Sequence, residues 1–119
     1  MVEGLGFPPS ARGTQGRLER EHPLFVEPGK RPRLTPNPAL ALRDGEFAMA
    51  WGTPGGGVQC ASMVQVFLNA TEWGLSMQQA IEAPRVASFS FPNSFSPNAY
   101  FPGRLCIENR FPVETIAAL

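Results

Sequence analysis

Three consecutive glycines, Gly55, Gly56 and Gly57, lie within the segment GTPGGGVQ at residues 52–59. An alternating apolar stretch precedes them and a run with helical spacing follows, so they join a predicted strand to a predicted helix. Consecutive glycines let two neighbouring backbone N–H groups point at one position with no side chain in the way. The first turn of the helix adds a partial positive charge. This is the arrangement of an oxyanion hole, which stabilises the negative charge of a tetrahedral intermediate.

Two other interpretations of the glycine run stay open on spacing alone. A tight turn needs nothing beyond the same glycines, and the bare run favours it. A phosphate-binding loop would need G-x-x-x-x-G-K-[ST] or G-x-G-x-x-G, and neither motif occurs here. Nucleotide binding is therefore the weakest of the three interpretations.

The residues before the glycines predict a β-hairpin. PALALR at 38–43 and EFAMAW at 46–51 are apolar-rich runs, and Asp44-Gly45 between them is a strong signal for a hairpin turn. The second run alternates small alanines with large apolar residues, and small residues suit close packing under another layer. We therefore expect a buried hairpin whose second strand has three large side chains on one face: Phe47, Met49 and Trp51.

The residues after the glycines predict two helices. Apolar residues recur at helical spacing over 58–73, and Gly74 suits the left-handed position that ends a helix. Ser76 and Gln79 form a capping box that opens a second helix over 76–83, ended by Pro84. Strands are expected at 85–91 and 104–110, and a last helix has Pro112 in its first turn. The fold class is therefore α/β in the layered α+β sense, with antiparallel strands.

The composition indicates a globular chain without a marked charge. The 119 residues are 43% apolar, and ten basic residues balance ten acidic ones, which gives no argument for a nucleic-acid or membrane partner. No apolar run approaches the length of about twenty residues that a membrane span needs. We expect one partial domain over 1–119, in which 1–37 is Pro/Gly-rich and irregular and 38–119 holds the hairpin, helices and further strands.

Neither cysteine spacing nor histidine content suggests a metal or a cofactor. Cys60, Cys106 and the single histidine, His22, are far apart in the sequence and lack the spacing of metal ligands. We expect the two thiols to be small buried apolar residues, with one disulfide as the alternative. We expect no metal and no cofactor.

Several segments together resemble the C-terminal part of the small subunit of the γ-glutamyltranspeptidase family. They occur in the family's order and at its spacing, and they cover nearly the whole chain. The segments are GFPPSARG (6–13), PGKRPRLTPNPALALRDG (28–45), AWGTPGG (50–56), LSMQQAIEAPRV (75–86) and SFSPNAYFPGRLCIENRFP (94–112).

The resemblance implies a fold and an activity. The fold is that of the N-terminal-nucleophile hydrolases, an αββα sandwich of two stacked sheets between helices, of which this chain would hold a part. Members of the family cleave their own precursor before a threonine. That threonine then attacks a γ-glutamyl amide such as glutathione, with its own α-amino group as the base. The acyl group passes to water or to another amino acid.

Carried over position by position, the resemblance also implies a site. Gly55 and Gly56 match the paired glycines whose N–H groups form the family's oxyanion hole. Leu34 and Thr35 fall where a pair of hydroxyl residues holds the substrate's α-carboxylate, so Thr35 keeps the one hydroxyl of that pair.

Arg12 and Gln15 fall in the loop that holds the substrate's α-amino group. Well-studied members end this loop in an aspartate, whereas Gln15 is neutral. A charged acceptor binds an ammonium more strongly than a neutral one does. An acylase-like hydrolase of the same family that acts on amides other than γ-glutamyl amides is therefore the alternative activity.

The resemblance lacks its nucleophile. The family's threonine lies further upstream of the paired glycines than the fifty-four residues that precede Gly55 here. None of the chain's own threonines matches the nucleophile's context: Thr14, Thr35, Thr53, Thr71 and Thr115. We expect a fragment truncated at both ends that is inactive alone.

The expected partners follow from this interpretation. The first is the rest of the enzyme, namely the large subunit and the start of the small subunit, with a small γ-glutamyl or other amide as substrate. Self-association of a non-catalytic module is the alternative, because a truncated layered fold exposes strand edges and an apolar helix face. We expect no signal peptide in this chain, and members of the family are cytoplasmic, periplasmic or secreted, so the compartment stays open.

Overall fold

The computed structural model describes residues 3–119, which contain short elements joined by long loops. The first 38 residues contribute a 3-10 helix at Ala11–Gln15 and an isolated parallel bridge between Arg17 and Phe25. The remaining elements are β1 (Ala39–Arg43), β2 (Glu46–Trp51), a 3-10 turn at Gly56–Val58, α1 (Gln59–Thr71), α2 (Met77–Glu82), β3 (Val86–Ser88), β4 (Leu105–Ile107) and α3 (Val113–Ala117). The mixed α/β content with antiparallel pairing is as predicted.

Strands β1 and β2 form the predicted antiparallel hairpin. Asp44 and Gly45 both have positive φ, 53° and 86°, as the two central residues of a type I′ turn require. The ladder shifts register between Ala41 and Leu42, whose partners are Met49 and Phe47, so Ala48 is an additional bulged residue. A bulge of one residue moves every side chain beyond it to the other face.

Two predictions about the hairpin are wrong: Phe47 does not share a face with Met49 and Trp51, and the hairpin is not buried on both faces. Met49 and Trp51 lie on one face and are partly covered, whereas Phe47 lies with the leucines of β1 on the opposite face. That opposite face is open to solvent: Leu40, Leu42 and Phe47 are 61%, 60% and 65% exposed. The hairpin is not buried, because only one of its faces is covered within residues 3–119.

Helix α1 connects the two sheets. Trp51 of β2 stacks on Phe67 of α1 with ring centroids 5.2 Å apart, and its indole N–H donates to the Met63 carbonyl. On its other side, the Gln65 side chain accepts from the Val86 N–H at 2.9 Å and donates to the Val86 carbonyl at 3.0 Å. The helix therefore fixes the hairpin and strand β3 relative to each other.

The predicted helix boundaries agree with the structure to within two residues. Helix α1 spans Gln59–Thr71 where 58–73 was predicted, and α2 spans Met77–Glu82 where 76–83 was predicted. Ser76 and Gln79 form the expected capping box. The predicted strands at 85–91 and 104–110 are shorter, because the ladder pairs only Val86–Ser88 with Leu105–Ile107.

The core of the described chain is small. Met63, Val66 and Ala80 are its buried apolar residues, whereas many large apolar side chains are exposed. The radius of gyration is 18.8 Å, compared with about 13.5 Å expected for a compact domain of this length. Much apolar surface therefore remains available to a partner. Among residues 3–119, no helix has both the length and the apolar character to span a membrane.

Candidate active site

The glycine loop has the backbone geometry that only glycine adopts without strain. Gly55 has φ 139° and Gly56 has φ 59°, and the 3-10 turn that starts at Gly56 leads into α1. Within residues 3–119, the N–H groups of Gly55 and Gly56 donate to no other residue. The loop thus presents two adjacent unused donors at the N-terminal end of a thirteen-residue helix.

The hairpin brings the predicted carboxylate-binding segment to the same end of the fold. Residue Ala39 at the start of β1 pairs with Trp51 at the end of β2, so the chain before Ala39 and the chain after Trp51 lie side by side. The Asn37 side-chain amide donates to the thiol of Cys60 in the first turn of α1, at 3.3 Å. Thr35 therefore lies on a segment tied to the helix that follows the glycines.

Two predicted substrate-binding residues contact each other directly. The Arg12 guanidinium donates to the Thr35 hydroxyl at 2.6 Å, across 23 residues of sequence. Within the described part of the chain, no carboxylate forms an ion pair with Arg12. Leu34, beside Thr35, is largely exposed. The pair thus combines an available positive charge with a hydroxyl.

Gln15 lies in a different environment from Arg12. It is only 4% exposed, and neither its amide nitrogen nor its amide oxygen has a partner among residues 3–119. It lines a cavity of about 140 Å³ together with three basic residues, Lys30, Arg31 and Arg33, and with Glu27, which forms an ion pair with Lys30. The structure therefore brings Arg12 and Thr35 together, whereas Gln15 faces a separate basic cavity.

A second cavity beside the glycines was not predicted. It has a volume of about 450 Å³ and begins at Gly55–Val58. Its wall is aromatic, formed by four phenylalanines: Phe89, Phe91, Phe95 and Phe101. The repeated phenylalanines of ASFSFPNSFSPNAYF were the available signal, but the loop between β3 and β4 has no periodicity that would place them together.

A cluster of charged residues lies at the end of the β3–β4 sheet where Val86 pairs with Ile107. The pKa of Glu108 is lowered chiefly by its hydrogen bond from Arg110, with a further contribution from the nearby charge of Arg85. Arg110 also donates to the Glu82 carbonyl at the end of α2. This cluster ties α2 to β3 and β4.

The two thiols are less buried than predicted. Cys60 is exposed rather than buried, because its thiol lies at the surface where it accepts from Asn37. Cys106 is half-buried, and both thiols are free, so the disulfide alternative does not hold. Residues 3–119 hold no cluster of three or more histidine, cysteine or carboxylate side chains that could bind a metal.

A sequence profile for a protein family, described as Gamma-glutamyltranspeptidase, matches residues 4–119. The chain belongs to the γ-glutamyltranspeptidase family. Among curated members, it is 32% identical to a glutathione hydrolase proenzyme of Pseudomonas sp. strain A14 over 75 residues. These residues are 63% of this chain and 13% of that protein. The chain is also 40% identical over 63 residues to the acylase ACY 1 proenzyme of Pseudomonas sp. strain SE83, which covers 53% of this chain and 11% of that one.

Solved structures place the chain in the γ-glutamyltranspeptidase fold. It superposes on the structure of LmbA2991HD with a TM-score of 0.80 at 41% identity, covering 95% of this chain and 20% of that one. It superposes on the T380A mutant of Helicobacter pylori γ-glutamyltranspeptidase with a TM-score of 0.73. There the identity is 19%, and 99% of this chain and 64% of the other are covered. The predicted family and fold class are confirmed, and the chain spans a small part of the curated relatives it matches.

Proposed function

We propose that this chain supplies the oxyanion hole and part of the substrate pocket of an amide hydrolase or acyl transferase of the γ-glutamyltranspeptidase type. The observation that carries this proposal is the pair of unused N–H groups at Gly55 and Gly56, next to the segment that holds Thr35. Since curated relatives include glutathione hydrolases, a γ-glutamyl amide such as glutathione is the leading substrate class.

The nucleophile comes from outside this chain. An N-terminal nucleophile needs a free α-amino group beside its hydroxyl, which self-cleavage before a threonine provides in this family. None of the threonines in this chain matches the context of that nucleophile. Thr53, which precedes the glycines most closely, donates its hydroxyl to the Pro54 carbonyl. The chain therefore acts together with a segment that carries the threonine, as expected of a protein that covers 13% of a curated relative.

The proposed reaction uses the glycine loop in its charged step. The external threonine oxygen attacks the amide carbon, its proton passes to the threonine's α-amino group, and the carbonyl oxygen becomes an oxyanion. The N–H groups of Gly55 and Gly56 donate to that oxyanion. Collapse of the intermediate breaks the C–N bond, the amine leaves with the proton, and the acyl group then passes to water or to another amine.

Arg12 and Thr35 are suited to the carboxylate of the acyl group. A guanidinium pairs with a carboxylate and repels an ammonium. Arg12 contacts the Thr35 hydroxyl, so we assign both residues to the α-carboxylate rather than assigning Arg12 to the α-amino group. Gln15 offers a neutral amide in a separate cavity, which supports the acylase-like alternative with a non-glutamyl donor, and ACY 1 is among the relatives.

A second candidate function is a non-catalytic module that self-associates. The observation that favours it is the exposed apolar face of the hairpin, formed by Leu40, Leu42 and Phe47. Sizing chromatography of the chain separates the candidates. Self-association that persists in the presence of the threonine-bearing segment supports the module, whereas dissociation into a defined complex with that segment supports the enzyme part.

An activity assay tests the catalytic proposal. The chain alone, incubated with γ-glutamyl-p-nitroanilide, is expected to release no p-nitroaniline above the background rate. Without an attacking group, an oxyanion hole provides only a small share of an enzyme's rate enhancement. Robust turnover by the isolated chain would show that it holds its own nucleophile.

A further inference from the structure

The aromatic cavity adjoins the same glycines that we assign to the oxyanion. The rings of Phe91 and Phe95 lie against the loop: a Cβ on Gly57 would lie 2.7 Å from Phe91, and one on Gly56 would lie 3.7 Å from Phe95. A group bound at the two N–H donors would therefore lie beside these rings. The cavity, of about 450 Å³, is large enough for a ring-sized substituent.

Gly57 allows this wall to form. Its φ is not in the left-handed region, so backbone conformation alone does not require glycine there. The Phe91 ring approaches closely instead: a Cβ on Gly57 would lie 2.7 Å from the ring edge, so a side chain there would displace the ring from its present position. The third glycine of the loop thus makes room for an aromatic side chain.

The wall of the cavity is mainly apolar, with Arg104 as its one cation and Asn93 as a neutral polar side chain. Arg104 lies over the rings of Phe101 and Phe89, at 4.7 Å and 5.5 Å from their centroids. This cation–π stacking holds the two rings and occupies the faces of the guanidinium. The lining contains no carboxylate, so it offers no partner for an ammonium group.

We propose that this cavity binds the aromatic or apolar part of the amine. In the first step this amine is the leaving group, and in acyl transfer it is the acceptor. The proposal rests on the proposed function. Arg12 and Thr35 supply the polar contacts suited to a carboxylate on the acyl side, which leaves the phenylalanine-lined side for the amine. Gly57 and Phe91 are then specificity-determining residues for that amine.

Two small amides test the cavity directly on the chain. Acetanilide carries an aryl group on its amide nitrogen, whereas N-methylacetamide presents the same amide without a ring. Amide NMR spectra of the chain are expected to show acetanilide shifting the signals of Gly56, Gly57, Phe91 and Phe95. N-methylacetamide is expected to bind at least about tenfold more weakly, since burial of a ring contributes more than one factor of ten.

A pair of glycine variants gives the matched comparison. Gly57→Ala must displace the Phe91 ring from its place in the cavity wall and should weaken acetanilide binding by about tenfold or more. Gly13→Ala, whose added Cβ meets nothing within 4 Å, should leave it unchanged. Phe91→Leu removes the ring while keeping apolar volume, and it serves if Gly57→Ala does not fold. Equal binding of both amides, no binding of either, or unchanged binding in Gly57→Ala and Phe91→Leu would overturn the proposal.

A second readout separates this proposal from the catalytic one. In the assembly with the threonine-bearing segment, the rates of acyl transfer to benzylamine and to methylamine are compared. If the assembly hydrolyses its substrate but transfers the acyl group to benzylamine and methylamine at equal rates, the cavity assignment alone is overturned. Aryl-selective binding without any hydrolysis overturns the oxyanion assignment and leaves the cavity in place.

Discussion

Gln65 fixes the aromatic wall to the helix that follows the glycines, so its removal should loosen the site. Its side chain makes two hydrogen bonds to the backbone of Val86, at 2.9 Å and 3.0 Å, and one to the Ala61 carbonyl in its own helix. A typical intramolecular hydrogen bond contributes about 1 kcal/mol net, so the two bonds to Val86 are worth about 2 kcal/mol. The better helix propensity of alanine returns a few tenths of a kcal/mol. Gln65→Ala should therefore cost about 1.5–2 kcal/mol of local stability.

Hydrogen exchange at the Val86 amide measures this cost where it arises. Since 1.4 kcal/mol corresponds to about a factor of ten, Gln65→Ala should speed exchange of that amide by about ten- to thirtyfold. The matched control is Gln78→Ala on α2, whose amide bonds only the exposed Glu82 side chain, at 2.5 Å. That exposed pair should contribute about 0.5 kcal/mol or less. Equal protection of the Val86 amide in both variants would refute the role of Gln65.

Three further perturbations follow from the described contacts. Glu108→Gln should lower the urea midpoint at neutral pH, because the pKa of Glu108 lies below its ordinary value of 4.5 and its contribution to stability is complete above that pH. That contribution is lost as the pH falls through the lower pKa of the folded state, so the midpoints of wild type and variant should converge in acid. A constant difference between the two midpoints would contradict this. Gly45→Ala places an alanine at a residue with φ 86° in the hairpin turn and should destabilise the β1–β2 hairpin by about 1 kcal/mol. Hydrogen exchange should show lost amide protection in β1, and intact protection would exclude a strained turn. Arg12→Ala in the assembled enzyme should raise KM by about tenfold for a donor with an α-carboxylate, and an equal rise for a donor without one would remove Arg12 from carboxylate binding.

The sequence was sufficient to predict the fold where local signals were strong. The Asp44-Gly45 turn and the capping box at Ser76 each specify a backbone geometry through the chemistry of one or two residues. The resemblance to γ-glutamyltranspeptidases depended on several motifs in order, and the match over 4–119 confirms it. Both kinds of signal are readable without knowledge of the surroundings.

Features set by long-range contacts could not be predicted. The bulge at Ala48 reverses the face of Phe47, and alternation alone cannot show an additional residue in the ladder. The contact between Arg12 and Thr35 and the wall around Gly57 join segments that are 23 and more than 30 residues apart. Such contacts depend on how the loops pack, for which no periodic pattern exists. The functional roles of Gly55, Gly56, Thr35, Arg12 and Gln15 stay predictions.

Replacement of one backbone amide by an ester tests the oxyanion assignment most directly. An ester at Gly56 exchanges its N–H for oxygen and leaves every side chain unchanged. Cys60 lies four residues further on, so a synthetic segment can be joined to the rest of the chain at that cysteine. Loss of one oxyanion donor should lower kcat of the assembled enzyme by about a hundred- to a thousandfold. The same ester at Gly29, whose N–H donates to no residue among 3–119, is the control. An unchanged kcat with the Gly56 ester would contradict the assignment.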